Sequence, residues 1–289
     1  MTKQVFVSRL AGDTRRSISW LLDRIEIPDT LTNICIKPNL NDYRKWETAS
    51  TCDPYILDAL LSVLKCRYPK ASITIIENDA TGVNADNIFS YLDIDSVTNK
   101  YGCRCVNVAR EQWKSVGING LHFKNIEIPE ILSGAFFITF PKLKSHTITK
   151  LTCGLKNQMG LFRSKRKVLY HHLVDELIVD CNLAMRADIS IVDANLVMEG
   201  NYGPTYGSPR RLGLLIASND IVAADSLCAK FYGLNPKSVS HIKKASQKGL
   251  GDMKYNILCD FDFNLRDYRL KFSKILFHLI RKGSAGIRP

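Results

Sequence analysis

The sequence predicts an α/β fold, with a mostly parallel central sheet flanked by helices. Three observations carry that expectation. Short β-branched runs alternate with segments of helical spacing along most of the 289 residues. The run from Ala135 to Phe140 is almost wholly apolar, as a strand covered on both faces must be. Polar residues follow nearly every predicted strand, and in parallel sheets ligands sit beyond the carboxyl ends of the strands.

In order, Thr32 to Pro38 predicts a short strand that gives way to a polar loop at Asn39. Asp53 and Pro54 supply an N-cap and an N1 residue for a helix to about Lys65. Ser72 to Glu77 is rich in β-branched residues and reads as a strand, followed by the loop Asn78 to Gly82. Ala85 to Val97 predicts a helix, Cys105 to Val108 a short strand, and Ala135 to Phe140 the buried strand. Helical spacing returns from His171 to Met185. Strands are expected at Asp188 to Asp193 and Gly213 to Ser218, and helices at Asp220 to Tyr232 and Ser238 to Lys248. The α/β domain is expected over residues 1–252. Residues 253–289 read as a basic C-terminal extension with 8 Lys/Arg against 3 Asp. Phe272, Ile275, Leu276, Leu279 and Ile280 recur there at helical spacing, suiting a helix docked on the body or one lying on a membrane surface.

Forty basic against 28 acidic residues give a net charge of +12, which favours anionic partners. No helix-turn-helix, zinc-finger or RNA-binding signature accompanies that charge, so nucleic acid is disfavoured as a partner. No secretory signal and no run of about 18 apolar residues is present, and a cytoplasmic location is expected. The nine cysteines are scattered, without a CxxC pair or a ferredoxin-type run, and read as reduced thiols. There is no HExxH motif and no metal-ligand set is assigned.

The most informative stretch is Ile131 to Val174, which contains no Asp or Glu but carries eight Lys/Arg and three His. If Pro141 to Thr147 continues extended, Lys142, Lys144 and His146 point to one side, because strand side chains alternate. Neighbouring cations push lysine and histidine toward their neutral, basic forms. His146 is therefore the leading acid–base candidate, with Lys144 and Lys142 beside it. The same groups can clamp a carboxylate or phosphate, and the plain alternative is a solvated basic loop. His171 and His172 rank second, since a helix would set them against Asp175 and Glu176 at i,i+4. Asp193, at the next strand end, can balance the positive charge.

Ligand-binding candidates surround this core. Lys37 and Asn39 close the first predicted strand. Lys150, Lys156, Asn157 and Gly160 lie in a stretch whose small residues and donors suit an anion, although it lacks the Gly-Lys-Ser/Thr ending of a Walker loop. Glu199 and Gly203 lie in a Gly/Pro-rich loop that can approach a ligand closely.

Several stretches together resemble the domain of unknown function family numbered 362. They are Ile36-Lys-Pro-Asn39, Phe140-Pro-Lys-Leu-Lys-Ser-His-Thr147, Leu155-Lys-Asn-Gln-Met-Gly160, Val192-Asp193, Gly200 with Gly203-Pro-Thr-Tyr-Gly207, and Ala217-Ser-Asn-Asp220 to Ala224-Asp225. The resemblance spans roughly residues 30–250 and rests on the order and spacing of these stretches. It implies matching positions at Lys37, Asn39, Lys142, Lys144, His146, Lys156, Asn157, Gly160, Asp193, Gly203 and Asp225. The family is often joined to ferredoxin-like iron–sulfur modules, which implies redox surroundings, but this chain has no ferredoxin cysteine motif. The leading expectation is an enzyme acting on a small anionic substrate, with the reaction open and the cofactor open between a metal and an iron–sulfur cluster. The alternatives are an iron–sulfur or redox accessory protein working with a separate redox partner, and a nucleic-acid-binding protein.

Overall fold

A computed structural model describes residues 2–200 and 206–272. The strands are β1 (Lys3–Arg9), β2 (Asn33–Pro38), β3 (Ser72–Glu77), β4 (Arg104–Asn107), β5 (Trp113–Gly117), β6 (Asn125–Pro129), β7 (Phe136–Phe140), β8 (Lys142–His146), β9 (Lys150–Thr152), β10 (Ile189–Glu199), β11 (Ser208–Ser218) and β12 (Tyr255–Cys259). The helices are α1 (Thr14–Leu22), α2 (Pro54–Arg67), α3 (Ala85–Tyr91), α4 (Ile94–Asn99), α5 (Gly154–Gln158), α6 (Val174–Ala184), α7 (Ile221–Phe231) and α8 (Ser240–Gln247).

The large sheet runs β12-β1-β11-β10-β7-β2-β3-β4, with β8 and β9 attached through β10. The five strands from β10 to β4 are parallel, whereas β11 is antiparallel to both β1 and β10. Strand periodicity divides the apolar side chains between two cores. Ile34, Ile36, Ile138 and Phe140 face α1–α4, and Cys35 and Phe137, adjacent to them in sequence, face the layer of α5–α8. The result is the expected α/β architecture, with helices on both faces of a mostly parallel sheet.

Asp53 caps α2 by accepting from the Tyr55 N–H at 2.9 Å, and Pro54 opens the helix, as their types predict. Several elements differ from expectation. The helix expected from Ala85 to Val97 is two helices, broken where Asp93 takes a left-handed φ of 59°. The strand expected to end at Asp193 continues to Glu199 past an irregularity between Ala194 and Leu196. The sheet also extends beyond residue 252: β12 pairs in parallel with β1, and Leu270 is buried. The C-terminal extension therefore begins inside the packed body. Its helical stretch beyond Phe272 lies outside the described residues, as does Gly203.

Candidate functional site

The chain runs outward from β2 through β3 to β4 on one side, and β7 and β10 lie on the other side of β2. Between β2 and β7 the order of the sheet reverses, which is where open α/β sheets bind ligands. At the carboxyl edge there lies a pocket of about 420 Å³. Its walls come from the ends of β2 and β3, from β8 and the turn after it, from α5 and the turn that follows, and from the 3-10 segment Lys167–Leu173. That volume suits a small molecule. A second depression of about 390 Å³, beside α2 and α4, contains the paired Lys100 and Asp58 and none of the residues of the first.

Of the residues singled out in the sequence, Lys37, Asn39, Lys144, His146, Lys156, Asn157, Gly160 and His171 line the large pocket. Two of them form its scaffold. Lys37 Nζ sits 2.6 Å from Glu77 Oε2 and donates to the Pro38 carbonyl at 2.8 Å. Asn157 donates from Nδ2 to the Lys37 carbonyl and to Thr139 Oγ1, and its Oδ1 accepts from Asn39 at 3.3 Å. These bonds lock α5 onto the ends of β2 and β7. Gly160 completes the fit, because a Cβ there would lie 2.9 Å from Lys37 Cε.

The strand β8 is extended, so Lys142, Lys144 and His146 leave it on one side, but they do not all reach the pocket. Lys142 stands beside Asp193 in the β8–β10 register and meets its Oδ2 at 2.9 Å, with both side chains fully buried. Asp193 also accepts from the backbone N–H groups of Asp53 and Asn195. This pair is fully buried and is not part of the pocket lining, and burial, with the Asp193 charge, pushes the Asp53 carboxyl up.

Lys144 and His146 line the cavity itself. Lys144 donates to Asn41 Oδ1 at 2.6 Å and to the Ser50 carbonyl at 2.7 Å, and no carboxylate pairs with it among the described residues. Burial lowers its amine to about 7, against a nearby Asp42 that favours the charged form. Lys156 and Lys167 are each lowered to about 8, chiefly by burial. Lys167 donates to the Asp79 carbonyl at 3.3 Å, its one hydrogen-bond acceptor among the described residues. His146 Nδ1 accepts from the Ile148 N–H at 3.1 Å and from the Thr149 N–H at 3.3 Å. The hydrogen-bond pattern therefore assigns the ring proton to Nε2. Burial, with the Lys156 and Lys144 charges, holds the ring well below the usual histidine range, so it is neutral at pH 7.

The remaining candidates lie elsewhere. The segment around His171 and His172 is a 3-10 turn and α6 begins only at Val174, so the i,i+4 pairs do not form. Asp175 instead faces His241 at 3.5 Å, and Glu176 pairs with Lys244. His171 stays at the pocket mouth, while His172 is exposed outside it. Lys150 bonds to the Ser238 carbonyl at 2.6 Å. Glu199 accepts from the Lys271 N–H at 2.8 Å. Asp225 accepts from the N–H groups of Gly154 and Leu155 and so fixes the start of α5; burial raises its carboxyl to about 6.

Sequence reading missed Glu77, Lys167, Asn41 and Thr152 as pocket residues. Glu77 and Lys167 carried a signal, one as the last residue of a predicted strand and the other as a member of the acid-free block. Thr152 lies within the donor-rich stretch that holds Lys150 and Lys156, whereas Asn41 had no signal. Three polar atoms of lining residues, Asn39 Oδ1, Asn78 Oδ1 and Thr152 Oγ1, are buried without a hydrogen-bond partner among the described residues.

The residues present do not fit an iron–sulfur cluster. No three His, Cys, Asp or Glu side chains converge among the described residues. No helix among the described residues is long and apolar enough to cross a membrane.

Fold and site together define a three-layer α/β protein with a lysine-rich pocket at the topological switch point of its sheet. The chain belongs to the family described as Domain of unknown function (DUF362), whose model matches residues 34–230. It is also similar to a thylakoid-associated protein of Synechocystis sp., at 35% identity over 129 residues. The aligned part covers 42% of this chain and 39% of that relative.

Proposed function

We propose that the protein is an enzyme acting on a small anionic substrate, a carboxylate or phosphate, held in the lysine–histidine pocket. The observation that carries this reading is unbalanced charge. The buried Lys37 and Lys142 each have a carboxylate partner, whereas Lys144, Lys156 and Lys167 share one pocket and have no ion-pair partner among the described residues. Gathering cations in a desolvated site costs free energy, and a bound anion offsets that cost. In this reading His146 donates from Nε2 to the anion. Proton transfer falls to lysines that titrate near neutrality, Lys144 at about 7 and Lys156 at about 8.

Isothermal titration with inorganic phosphate, pyruvate and citrate tests the reading. Saturable binding that weakens in Lys156→Met and Lys144→Met is expected. Absence of binding by all three anions would refute it.

For location we propose a cytoplasmic protein whose basic tail meets a membrane surface. The tail's excess of Lys/Arg supports this, as does the name of the thylakoid-associated relative. Flotation with anionic vesicles, with and without residues 273–289, is the test. Equal flotation of both forms counts against it.

A further inference from the structure

The four lysines of the pocket are not chemically equivalent. Lys37 is held by Glu77, Lys144 by two oxygen acceptors, and Lys167 by the Asp79 carbonyl. Lys156 has no hydrogen-bond or ion-pair partner among the described residues, and its side chain is partly accessible. It projects from α5, which is anchored at both ends: Asp225 binds the first N–H groups and Asn157 binds the ends of β2 and β7. Its charge acts on Lys144, His146 and His171, so it stands among the pocket's titratable groups, and its own strongest charged neighbour is Lys167.

A desolvated lysine beside a second cation, with no acceptor holding its protons, is the arrangement that frees an amine lone pair near neutral pH. A purely electrostatic anion clamp does not require it, since an ammonium bound to fixed acceptors serves equally well. The orphaned atoms Asn39 Oδ1, Asn78 Oδ1 and Thr152 Oγ1 add a second requirement. Buried acceptors call for hydrogen-bond donors on the ligand, and hydroxyl groups supply them.

Building on the anion-binding reading, we propose that Lys156 is a nucleophile that forms an imine with a hydroxylated aldehyde or ketone bearing a phosphate or carboxylate. The Nζ lone pair attacks the carbonyl carbon, and the C=O π pair moves to oxygen. Nζ gives up a proton and the carbonyl oxygen gains one, producing the carbinolamine. Protonation of its hydroxyl lets water depart as the nitrogen lone pair closes the C=N bond, and loss of the remaining N–H proton returns the proton used and gives the imine. Amine and carbonyl become imine and water, with no oxidant or reductant. The lysines Lys144 and Lys167 receive the anionic group, and the asparagine acceptors receive the hydroxyls.

Dihydroxyacetone phosphate carries all three functions, and glycerol 3-phosphate is its counterpart without the carbonyl. The full-length protein is incubated with dihydroxyacetone phosphate and treated with sodium borohydride, and the adduct is located by peptide mass spectrometry. Binding of glycerol 3-phosphate is measured in parallel by calorimetry. A reduced adduct is expected on Lys156, at least tenfold above any other lysine, and suppressed by excess glycerol 3-phosphate. In Lys156→Arg the adduct is expected to vanish while glycerol 3-phosphate still binds. If glycerol 3-phosphate binds and Lys156 stays unmodified, or labelling is spread over other lysines or is not suppressed, the nucleophile assignment is overturned and the pocket reading stands. If glycerol 3-phosphate, inorganic phosphate, pyruvate and citrate all fail to bind, both fail.

Discussion

Lys142 Nζ lies 2.9 Å from Asp193 Oδ2, and neither side chain is exposed to solvent. A buried pair of this kind contributes little over an apolar replacement of both partners, but removal of one partner strands a charge in the core. Lys142→Met is expected to cost about 3–5 kcal/mol, and a Lys142→Met/Asp193→Leu double variant to recover much of the loss. Urea denaturation measures both. A single variant as stable as the parent would show that the pair does not hold β8 to β10.

Lys144 follows two residues later and behaves oppositely, because it has no carboxylate to lose. Its amine titrates at about 7 in the fold against a reference of 10.5. Between those values the unfolded chain carries a proton that the folded chain does not, so this group's contribution to stability rises with pH over that window. Below it both states are charged and the burial penalty is complete. Lys144→Met is therefore expected to stabilise the anion-free protein most at about pH 6, with the advantage shrinking by about pH 9. The same change is expected to weaken phosphate binding by about 1–3 kcal/mol, the range of a charge-assisted contact. Denaturant midpoints at the two pH values and calorimetry check the two halves; a destabilised variant at low pH contradicts the first.

The contrast between these two lysines also marks how far the sequence could be read. Period-two alternation puts Lys142 and Lys144 on one side of an extended segment, and the segment is the strand β8. Alternation carries no information about which one meets a carboxylate from a strand about fifty positions away. That depends on the β8–β10 register, where Asp193 opposes Lys142 and Met198 opposes Lys144. Local signals were legible where the cause is local, as in the Asp53–Pro54 helix start and the apolar β7. They failed at Asp93, whose left-handed backbone splits a helix, and at His171, where the chain enters α6 through a tighter turn. The strands β1 and β12 lie at opposite ends of the described chain, and only their long-range pairing accounts for them.

Gly160 tests the scaffold without touching a charge. A methyl group at this position would meet Lys37 Cε at 2.9 Å and Nζ at 3.0 Å, and so press on the Lys37–Glu77 pair. Gly160→Ala is expected to cost about 1–3 kcal/mol in stability, the usual range for overpacking a filled site. Phosphate affinity is expected to fall as well, because α5 carries Lys156. A variant with unchanged denaturation and unchanged binding would mean that Lys37 moves aside freely.

His146 provides the sharpest test of the site's electrostatics. Two backbone N–H groups occupy Nδ1, so the neutral ring carries its proton on Nε2 and cannot accept another there. Burial and the surrounding lysines keep it from charging. The unfolded chain takes up this proton as pH falls through the reference value of 6.5, while the folded chain does not, so the ring's contribution to stability declines below that pH. His146→Gln is expected to flatten that decline. It is also expected to leave the pH dependence of pyruvate binding unchanged, whereas Lys144→Met removes the inflection at about 7. Long-range ¹⁵N–¹H spectra of the imidazole report the tautomer directly. One protonated Nε2 and one unprotonated Nδ1 are expected at pH 6.5, the reference value at which an ordinary histidine is half charged. A ring that titrates near 6.5 in the anion-free protein would return His146 to the role of acid–base catalyst and remove the reason for assigning that work to the lysines.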